Sequence, residues 1–187
     1  MKSFTTIAAL AMVLLVSPEA GAQEAPPLWK VMDNALADAA YDPMNTELRA
    51  RSMLARKTVL EDCDSLLLVE HLLRFSSTVL STPWPPDGFV PTDGCEHVPS
   101  PLLYFRGAHA FYKKRYAEAE PLFRSAAETA HQEGSVDFQY RAHQALGATL
   151  PYLHRFKEAV DEFNLAYDLA PQAINPVELN NLAYALI

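Results

Sequence analysis

Glycine is scarce in this chain, and its scarcity excludes several kinds of site. Six glycines among 187 residues leave little material for the glycine-rich loops that hold phosphate groups. The sequence also lacks a nucleophile elbow and a pair of carboxylates at a distinctive catalytic spacing. We therefore predict a protein that is not an enzyme and that needs no cofactor.

Basic residues are also few. Lysine and arginine number 15 against 23 aspartates and glutamates, so the formal net charge is −8. A chain of this sign is repelled by the phosphates of nucleic acids and by anionic membrane surfaces. Half of the residues are hydrophobic, which is typical of a globular chain and not of a disordered one. We expect one folded domain that binds neither nucleic acid nor membrane.

Long apolar runs are missing except at the amino terminus. Lys2 gives a positive start, residues 7 to 16 are apolar, and Ala20-Gly21-Ala22 forms a small-residue cleavage site. Residues 1–22 therefore read as a signal peptide, with Gln23 as the first residue of the mature chain. A run of about ten residues is too short to cross a bilayer, which disfavours the rival interpretation of a permanent anchor. The prediction is a periplasmic or secreted protein.

Only two cysteines are present, Cys63 and Cys95. In an oxidising compartment an even count favours one disulfide, and two free thiols are the alternative. A helix from about Asp64 to Leu80 would rise ~25 Å and the following residues can extend ~46 Å, so the chain can return to Cys63. Asp93, Glu96 and His97 lie beside Cys95, but no second pair of ligands at zinc-binding spacing is visible, and we predict no metal site.

Residues 23–80, after the leader, carry three helical patterns. Apolar residues at helical spacing predict one helix over residues 28–40. Asp42 and Pro43 form a start signal for a second helix that runs to about Glu61. A third helix is expected from Ser65 to Leu80. Residues 23–80 thus form an amino-terminal helical region, and six prolines then make residues 81–100 a long, ordered or clamped loop.

From Leu102 onward the sequence copies itself at an offset of forty residues. The matched positions have a glycine in the first helix of each copy, an aromatic residue at the turn, and alternating alanines and phenylalanines in the second helix. In the first copy they are Gly107, Tyr116, Ala119, Phe123 and Ala126, and in the second Gly147, Phe156, Ala159, Phe163 and Ala166. A small residue lets the partner helix approach, and the small alanines seat the second helix.

This pattern resembles the tetratricopeptide repeat, in which small and aromatic residues and a closing proline fall at these spacings. Pro171 supplies that proline in the second copy, and Leu182-Ala183 begins a third. The resemblance implies an all-α fold in which antiparallel helical hairpins stack as a right-handed solenoid over residues 101–187. It covers two full repeats and the first helix of a third, and it follows the amino-terminal helices and the proline-rich loop.

The copies depart from the usual pattern in length and in two prolines. The first unit is longer than the usual period of about 34 residues, and we expect the second helix and its turn, residues 121–136, to absorb the excess. Pro151 is predicted to kink or end its helix, whereas Pro121 is placed in the first turn of its own helix. Four acidic residues are interpreted as helix-start charges that face water, namely Glu118, Glu120, Asp161 and Glu162.

Repeat proteins of the family that this chain resembles bind partners through the first helix of each hairpin. Spacings of four and three residues select one face of these helices. It comprises Tyr104, Ala108 and Phe111, then Gln144, Ala148 and Pro151, then Asn180, Tyr184 and Ile187. An aromatic residue such as Phe111 has an alternative role, which is to pack between helices. Tyr104 and Ala108 occupy the places of the basic residues that grip a terminal carboxylate in relatives, so no such clamp is expected.

Together these features predict an exported scaffold that binds a protein or peptide partner. The alternative is the periplasmic sensor segment of a longer membrane-bound signalling protein of the kinase or diguanylate cyclase type. The apolar side of residues 176–187 lacks a second helix to cover it. On that ground we expect the chain to continue beyond Ile187.

Overall fold

A computed structural model describes residues 26–39, 42–54, 62–80, 83–86, 89 and 92–171. Its regular structure there is entirely helical. The seven α-helices of these ranges are α1 (Leu28–Ala39), α2 (Pro43–Leu54), α3 (Cys63–Leu80), α4 (Ser100–Tyr112), α5 (Tyr116–Glu133), α6 (Val136–Thr149) and α7 (Phe156–Leu169), with a 3₁₀ turn over Leu150–Leu153. The predicted all-helical fold is confirmed for this part of the chain. The predicted signal peptide, residues 1–22, and residues 172–187 lie outside it.

The first two helices begin where the sequence predicts, and the third begins two residues earlier. The Asp42 carboxylate accepts a hydrogen bond of 3.0 Å from the Asn45 backbone N–H and so caps α2. Asp62 caps α3 through the backbone N–H of Ser65 in the same way, which starts this helix at Cys63 instead of Ser65. The predicted continuation of α2 to Glu61 falls on residues outside the described ranges.

Two apolar clusters hold α1 and α2 against α3. Met32 of α1 is fully buried and packs with Leu67, Leu68 and, from α4, Leu102. Ala50 of α2 packs on another side of α3. A helix that contacts neighbours on several sides needs apolar residues around most of its surface, as the sequence of α3 indicated.

The proline-rich loop is clamped to these helices. A disulfide joins Cys63 at the start of α3 to Cys95 in the loop, with the two Cα atoms 5.8 Å apart, so the predicted pairing is present. The indole of Trp84 lies under the Arg74 guanidinium, 4.1 Å from the ring centroid. The loop is thereby attached to α3 at two separate points.

Helices α4 to α7 stack as two successive antiparallel hairpins. Each helix packs on the next, and the two first helices, α4 and α6, also contact each other. This arrangement is that of a helical solenoid. The longer first unit is explained in part by α5, which has 18 residues against 14 in α7.

One of the two proline predictions is confirmed and the other is wrong. The α-helix α6 ends at Thr149, directly before the 3₁₀ turn that contains Pro151. Pro121, however, does not lie in the first turn of its helix. Helix α5 already begins at Tyr116, so Pro121 is its sixth residue and deprives the Ala117 carbonyl of its helical donor. Pro121 is exposed, where water can replace that donor.

Candidate functional site

Each first helix approaches its partner closely at its glycine. A β-carbon built on Gly107 would lie 2.7 Å from a ring carbon of Phe123, and one built on Gly147 would lie 2.7 Å from the same carbon of Phe163. Carbon atoms in ordinary contact lie at about 3.5–4.0 Å. Only glycine therefore fits at either position without displacing a phenylalanine, which is the physical reason for the glycine and phenylalanine matches in the sequence.

The turns inside the two hairpins have the same geometry. Lys114 and His154, forty residues apart, both have the left-handed φ of 59°. The next residue closes each turn, because the Arg115 N–H donates to the Ala110 carbonyl at 2.9 Å and the Arg155 N–H donates to the Leu150 carbonyl at 3.1 Å. The forty-residue repetition thus extends to the backbone of the turns.

The face predicted for partner binding comes from α4, α6 and the 3₁₀ turn, but its first residue is not exposed. Tyr104 is only partly accessible, because its ring contacts the rings of Phe105, Phe123 and Phe138 at centroid distances of 5.3, 5.7 and 6.0 Å. Burial raises the pKa of its hydroxyl. The expectation of an exposed Tyr104 is wrong, since Phe138 of the next hairpin lies against it.

Most other members of this face are likewise half-buried or buried. The amide nitrogen of Gln144 donates to the Tyr140 hydroxyl at 2.7 Å. Ala148 packs beside the cluster that contains Phe163, while Ala108 and Pro151 are buried. Asn180, Tyr184 and Ile187 lie outside the described residues. The described residues of this face are therefore mostly packed within the hairpins and not exposed.

Phe111 takes part in an aromatic cluster that joins the two hairpins. Its ring meets Tyr116 and Tyr152 edge-on at 5.4 and 5.9 Å. Tyr116 and Tyr152 stack in parallel at 4.1 Å with their planes 9° apart. Tyr152 remains 52% exposed and Tyr112 is 70% exposed. Phe111 thus packs between helices, the alternative role, and its neighbours form the exposed aromatic surface.

The sequence interpretation did not identify Tyr112 and Tyr152. They are related by the same forty-residue offset as the other matched positions, and that offset would have found them. Both stand next to the predicted face at the turn end of the first helices. They are the most exposed aromatic residues of the two first hairpin arms.

An ionic network joins α5, α6 and α7 near the aromatic cluster. Glu120 accepts hydrogen bonds from Arg124 at 2.7 Å and from Arg155 at 2.8 Å. Burial acts to raise the pKa of Glu120, but these two guanidinium groups outweigh it and lower the pKa. Glu162 is buried and lies 2.7 Å from Nδ1 of His143. Glu120 and Glu162 therefore do not simply face water as expected, because Arg124 and Arg155 pair with Glu120, and Arg124 and His143 contact Glu162.

An open cavity of about 300 Å³ lies along the same three helices. It is lined by Arg124, Ala127, Glu128, His131, Gln139, His143, Leu146 and Glu162. Two of its charged groups, Arg124 and Glu162, already contact each other at 3.3 Å, and Arg124 also pairs with Glu120 outside the cavity. We assign this cavity no ligand.

A second ionic cluster is buried where the amino-terminal helices meet α4. Glu70 of α3 is 1% exposed. It accepts hydrogen bonds from Arg106 at 2.9 and 2.7 Å and from Arg74 at 2.6 Å, and Thr92 of the loop also donates to it. Burial acts to raise the pKa of Glu70, but these donors hold it below the ordinary value. The cluster ties the loop, α3 and α4 together and has no exposed face for a substrate.

His71, the next residue, is completely buried and contacts Phe105 edge-on. In the part of the chain that the structure describes, neither ring nitrogen has a hydrogen-bond partner. Burial lowers the pKa of His71 to about 4. The nearby Met32 backbone, although it makes no hydrogen bond to the ring, and the charge of Glu70 act to raise this pKa, but they oppose the shift only in part. The ring is therefore neutral at physiological pH.

The described residues contain no group of three or more histidine, cysteine, aspartate and glutamate side chains placed to hold a metal ion. Of the residues around Asp93, Cys95 is bonded to Cys63. His97 lies 3.7 Å from Glu133, whose carboxylate accepts a hydrogen bond of 2.6 Å from the Ser100 hydroxyl. No helix in these ranges combines the length and hydropathy that a membrane span requires.

Comparisons with protein-family models, with curated proteins and with solved structures yield no match to this chain.

Proposed function

We propose that this protein is an exported scaffold of the tetratricopeptide type that binds a protein or peptide partner on the face formed by α4, α6 and the 3₁₀ turn. The observation that carries the proposal is the aromatic cluster of Phe111, Tyr116 and Tyr152, which presents a half-exposed ring at the junction of two hairpins. The paired glycines and the paired left-handed turns support the repeat type.

A preorganised aromatic surface suits binding for two reasons. A buried tyrosine contributes a large apolar area and has only two side-chain torsions to restrict. Tyr152 already stacks on Tyr116 and meets Phe111, so its ring loses little further freedom when a partner covers it. Such residues are the kind that dominate the affinity of protein interfaces.

Site-specific photo-cross-linking tests this face. A photoreactive phenylalanine analogue is placed at Tyr152 and, as the matched control, at Tyr167 of α7, which is 48% exposed against 52% for Tyr152. We expect an adduct with a discrete partner from position 152 and none from position 167. The same adducts from both positions, or adducts from neither, would overturn the proposal.

Export is a separate part of the proposal, supported by the signal-peptide pattern and compatible with the disulfide. Amino-terminal sequencing of material recovered outside the cytoplasm should begin at Gln23. Recovery of exported protein that still carries Met1 would contradict cleavage at Ala22.

A further inference from the structure

The turn between α4 and α5 carries the most concentrated positive charge of an otherwise acidic chain. Residues 113–115 read Lys-Lys-Arg and are the only three consecutive basic residues in a sequence of net charge −8. Tyrosines flank them as Tyr112 and Tyr116. We call residues 112–116 together with Tyr152 the basic aromatic turn.

Two of its charges are not neutralised by neighbouring carboxylates. Arg115 pairs with Glu118 at 2.8 Å, and Arg155 of the next repeat pairs with Glu158 and Glu120. Lys113 and Lys114 are exposed and have no ion pair within the described ranges. Their ammonium groups are therefore available to a partner.

The positive charges of the turn contribute to a lowered pKa at a neighbouring histidine. His109 lies one helical turn before Lys113, and its pKa is lowered to about 4. Burial is the largest cause, and the positive charges of Arg74, Lys113 and Arg115 act in the same direction. A neutral His109 adds no charge to the turn, and three cations near this end of α4 act on its pKa in the same direction as burial.

The exposed rings stand beside these charges. Tyr112 adjoins Lys113 in sequence and contacts Phe111 at 6.0 Å, and Tyr152 stacks on Tyr116 at the other end of the turn. Unpaired ammonium groups next to accessible aromatic faces offer both charge and apolar contact area to one ligand.

We propose that the basic aromatic turn binds an acidic protein segment that carries an aromatic or large aliphatic side chain. The apolar side chain packs against Tyr112 and Tyr152, and the acidic residues beside it pair with Lys113 and Lys114. The inference rests on the proposed scaffold function and names the chemistry of its partner.

A short segment suits this charge pattern better than an extended anionic surface. The two free ammonium groups are bordered by carboxylates, since Glu118 and Glu158 are about half exposed. Electrostatic attraction is screened beyond about 8 Å at physiological ionic strength. A membrane or a nucleic acid would extend over the acidic remainder of the chain, whereas a few residues of peptide meet only the turn.

Selection from a random dodecapeptide display library tests the proposal on the whole mature protein. Three variants are compared with the wild type. K113Q with K114Q removes the two lysine charges, Tyr152→Ala removes one of the two exposed rings, and K30Q with R49Q removes two charges from exposed positions on α1 and α2 as the matched control. Selected peptides are then synthesised, and their affinities are measured by fluorescence anisotropy at two salt concentrations.

We expect peptides enriched in both acidic and aromatic residues from the wild type and from the K30Q/R49Q control. The K113Q/K114Q variant should lose the acidic enrichment and bind the wild-type peptides roughly tenfold more weakly, since two charge contacts with their acidic residues are lost. Tyr152→Ala should lose the aromatic enrichment instead.

The outcomes separate this inference from the function on which it rests. Aromatic enrichment without acidic enrichment would overturn the inference and leave the scaffold function standing, as would equal affinity of wild type and K113Q/K114Q for acidic peptides. No enrichment of any peptide would overturn both. Tighter binding to phosphatidylglycerol vesicles or to a single-stranded oligothymidine than to the selected peptides would also overturn the proposal.

Discussion

The amino-terminal region, up to Pro99, and the two hairpins from Ser100 to Leu169 are held together in different ways. In the first region the stabilising contacts are individual, such as the Cys63–Cys95 disulfide and the buried Glu70. In the hairpins the same contacts recur forty residues apart, at Gly107 with Phe123 and at Gly147 with Phe163. Each stabilising contact of the first region occurs once, whereas the two hairpins share one set of contacts.

This difference predicts how the two regions respond to substitution. A repeated contact joins only neighbouring helices, so its loss is local and should be similar in both copies. A unique contact such as Glu70 with Arg106 joins segments from three parts of the chain, so its loss affects all of them. The following predictions test this contrast.

The largest effect is expected from Glu70→Ala. The substitution leaves Arg106 and Arg74 without their buried carboxylate, and removal of one partner from a buried ion pair costs about 3–5 kcal/mol. Urea unfolding followed by circular dichroism measures the change. As a control, Glu118→Ala removes an exposed carboxylate and should cost less than about 1 kcal/mol. Equal losses from both substitutions would show that the cluster is not a special element of the amino-terminal region.

Loss of the disulfide should have the next largest effect. Cys63 and Cys95 are 32 residues apart, and opening a loop of this size lowers the free energy of unfolding by about 3–4 kcal/mol in the chain-entropy model. Unfolding of C63S/C95S is compared with that of the wild type, oxidised and reduced. Thiol titration of unfolded, unreduced protein should find no free cysteine. Two titratable thiols in exported material would contradict the pairing.

Acid should weaken the amino-terminal region through His71. Its folded pKa of about 4 lies below the ordinary value of 6.5, so the unfolded chain binds the proton more tightly. The stability associated with the neutral ring is complete above pH 6.5 and is lost as the pH falls towards 4, by about 3 kcal/mol at most. His71→Leu, which cannot titrate, should flatten the difference in unfolding free energy between pH 7 and pH 4.5. An unchanged pH dependence in this variant would rule out His71 as the cause.

Smaller and matched effects are expected from Gly107→Ala and Gly147→Ala. Each new methyl group would press on a buried phenylalanine ring at 2.7 Å, at a cost of about 1–3 kcal/mol, against a gain of about 1 kcal/mol in helix propensity. We expect net losses of about 1 kcal/mol that agree between the two sites. Gly94→Ala is the control, because nothing lies within 4 Å of that position. A large loss at only one of the two glycines would break the equivalence of the hairpins.

The sequence predicted the repeated region better than the unique contacts. Helical periodicity, the cap at Asp42, and the glycine and phenylalanine spacing are local or periodic signals, and the structure has the corresponding helices and contacts. The Glu70 cluster joins residues up to 36 positions apart that no period relates. Its partners become evident only once α3, the loop and α4 are packed.

The sequence predicted which residues share one side of α4, but it did not predict how deeply they are buried. Helical spacing put Tyr104 and Phe111 on one side of α4, and both do lie beside α6. Spacing within one helix does not reveal what the next hairpin covers, and Phe138 covers Tyr104. The exposed rings are those at the turn, Tyr112 and Tyr152, because no helix of the described part packs over them there.

The smallest effect should come from the turns, where the equivalence of the two hairpins is tested at single residues. Lys114 and His154 both have a φ of 59°, a conformation that costs a residue with a β-carbon about 1 kcal/mol and glycine almost nothing. Because glycine also has more freedom in the unfolded chain, Lys114→Gly and His154→Gly should each raise the free energy of unfolding by only about 0.5 kcal/mol. Lys113 has an ordinary φ of −83°, so Lys113→Gly relieves no strain and should lower the free energy of unfolding by a similar amount. If His154→Gly stabilises and Lys114→Gly does not, the two turns differ in energy despite their shared backbone geometry, and the repetition in this chain is one of shape alone.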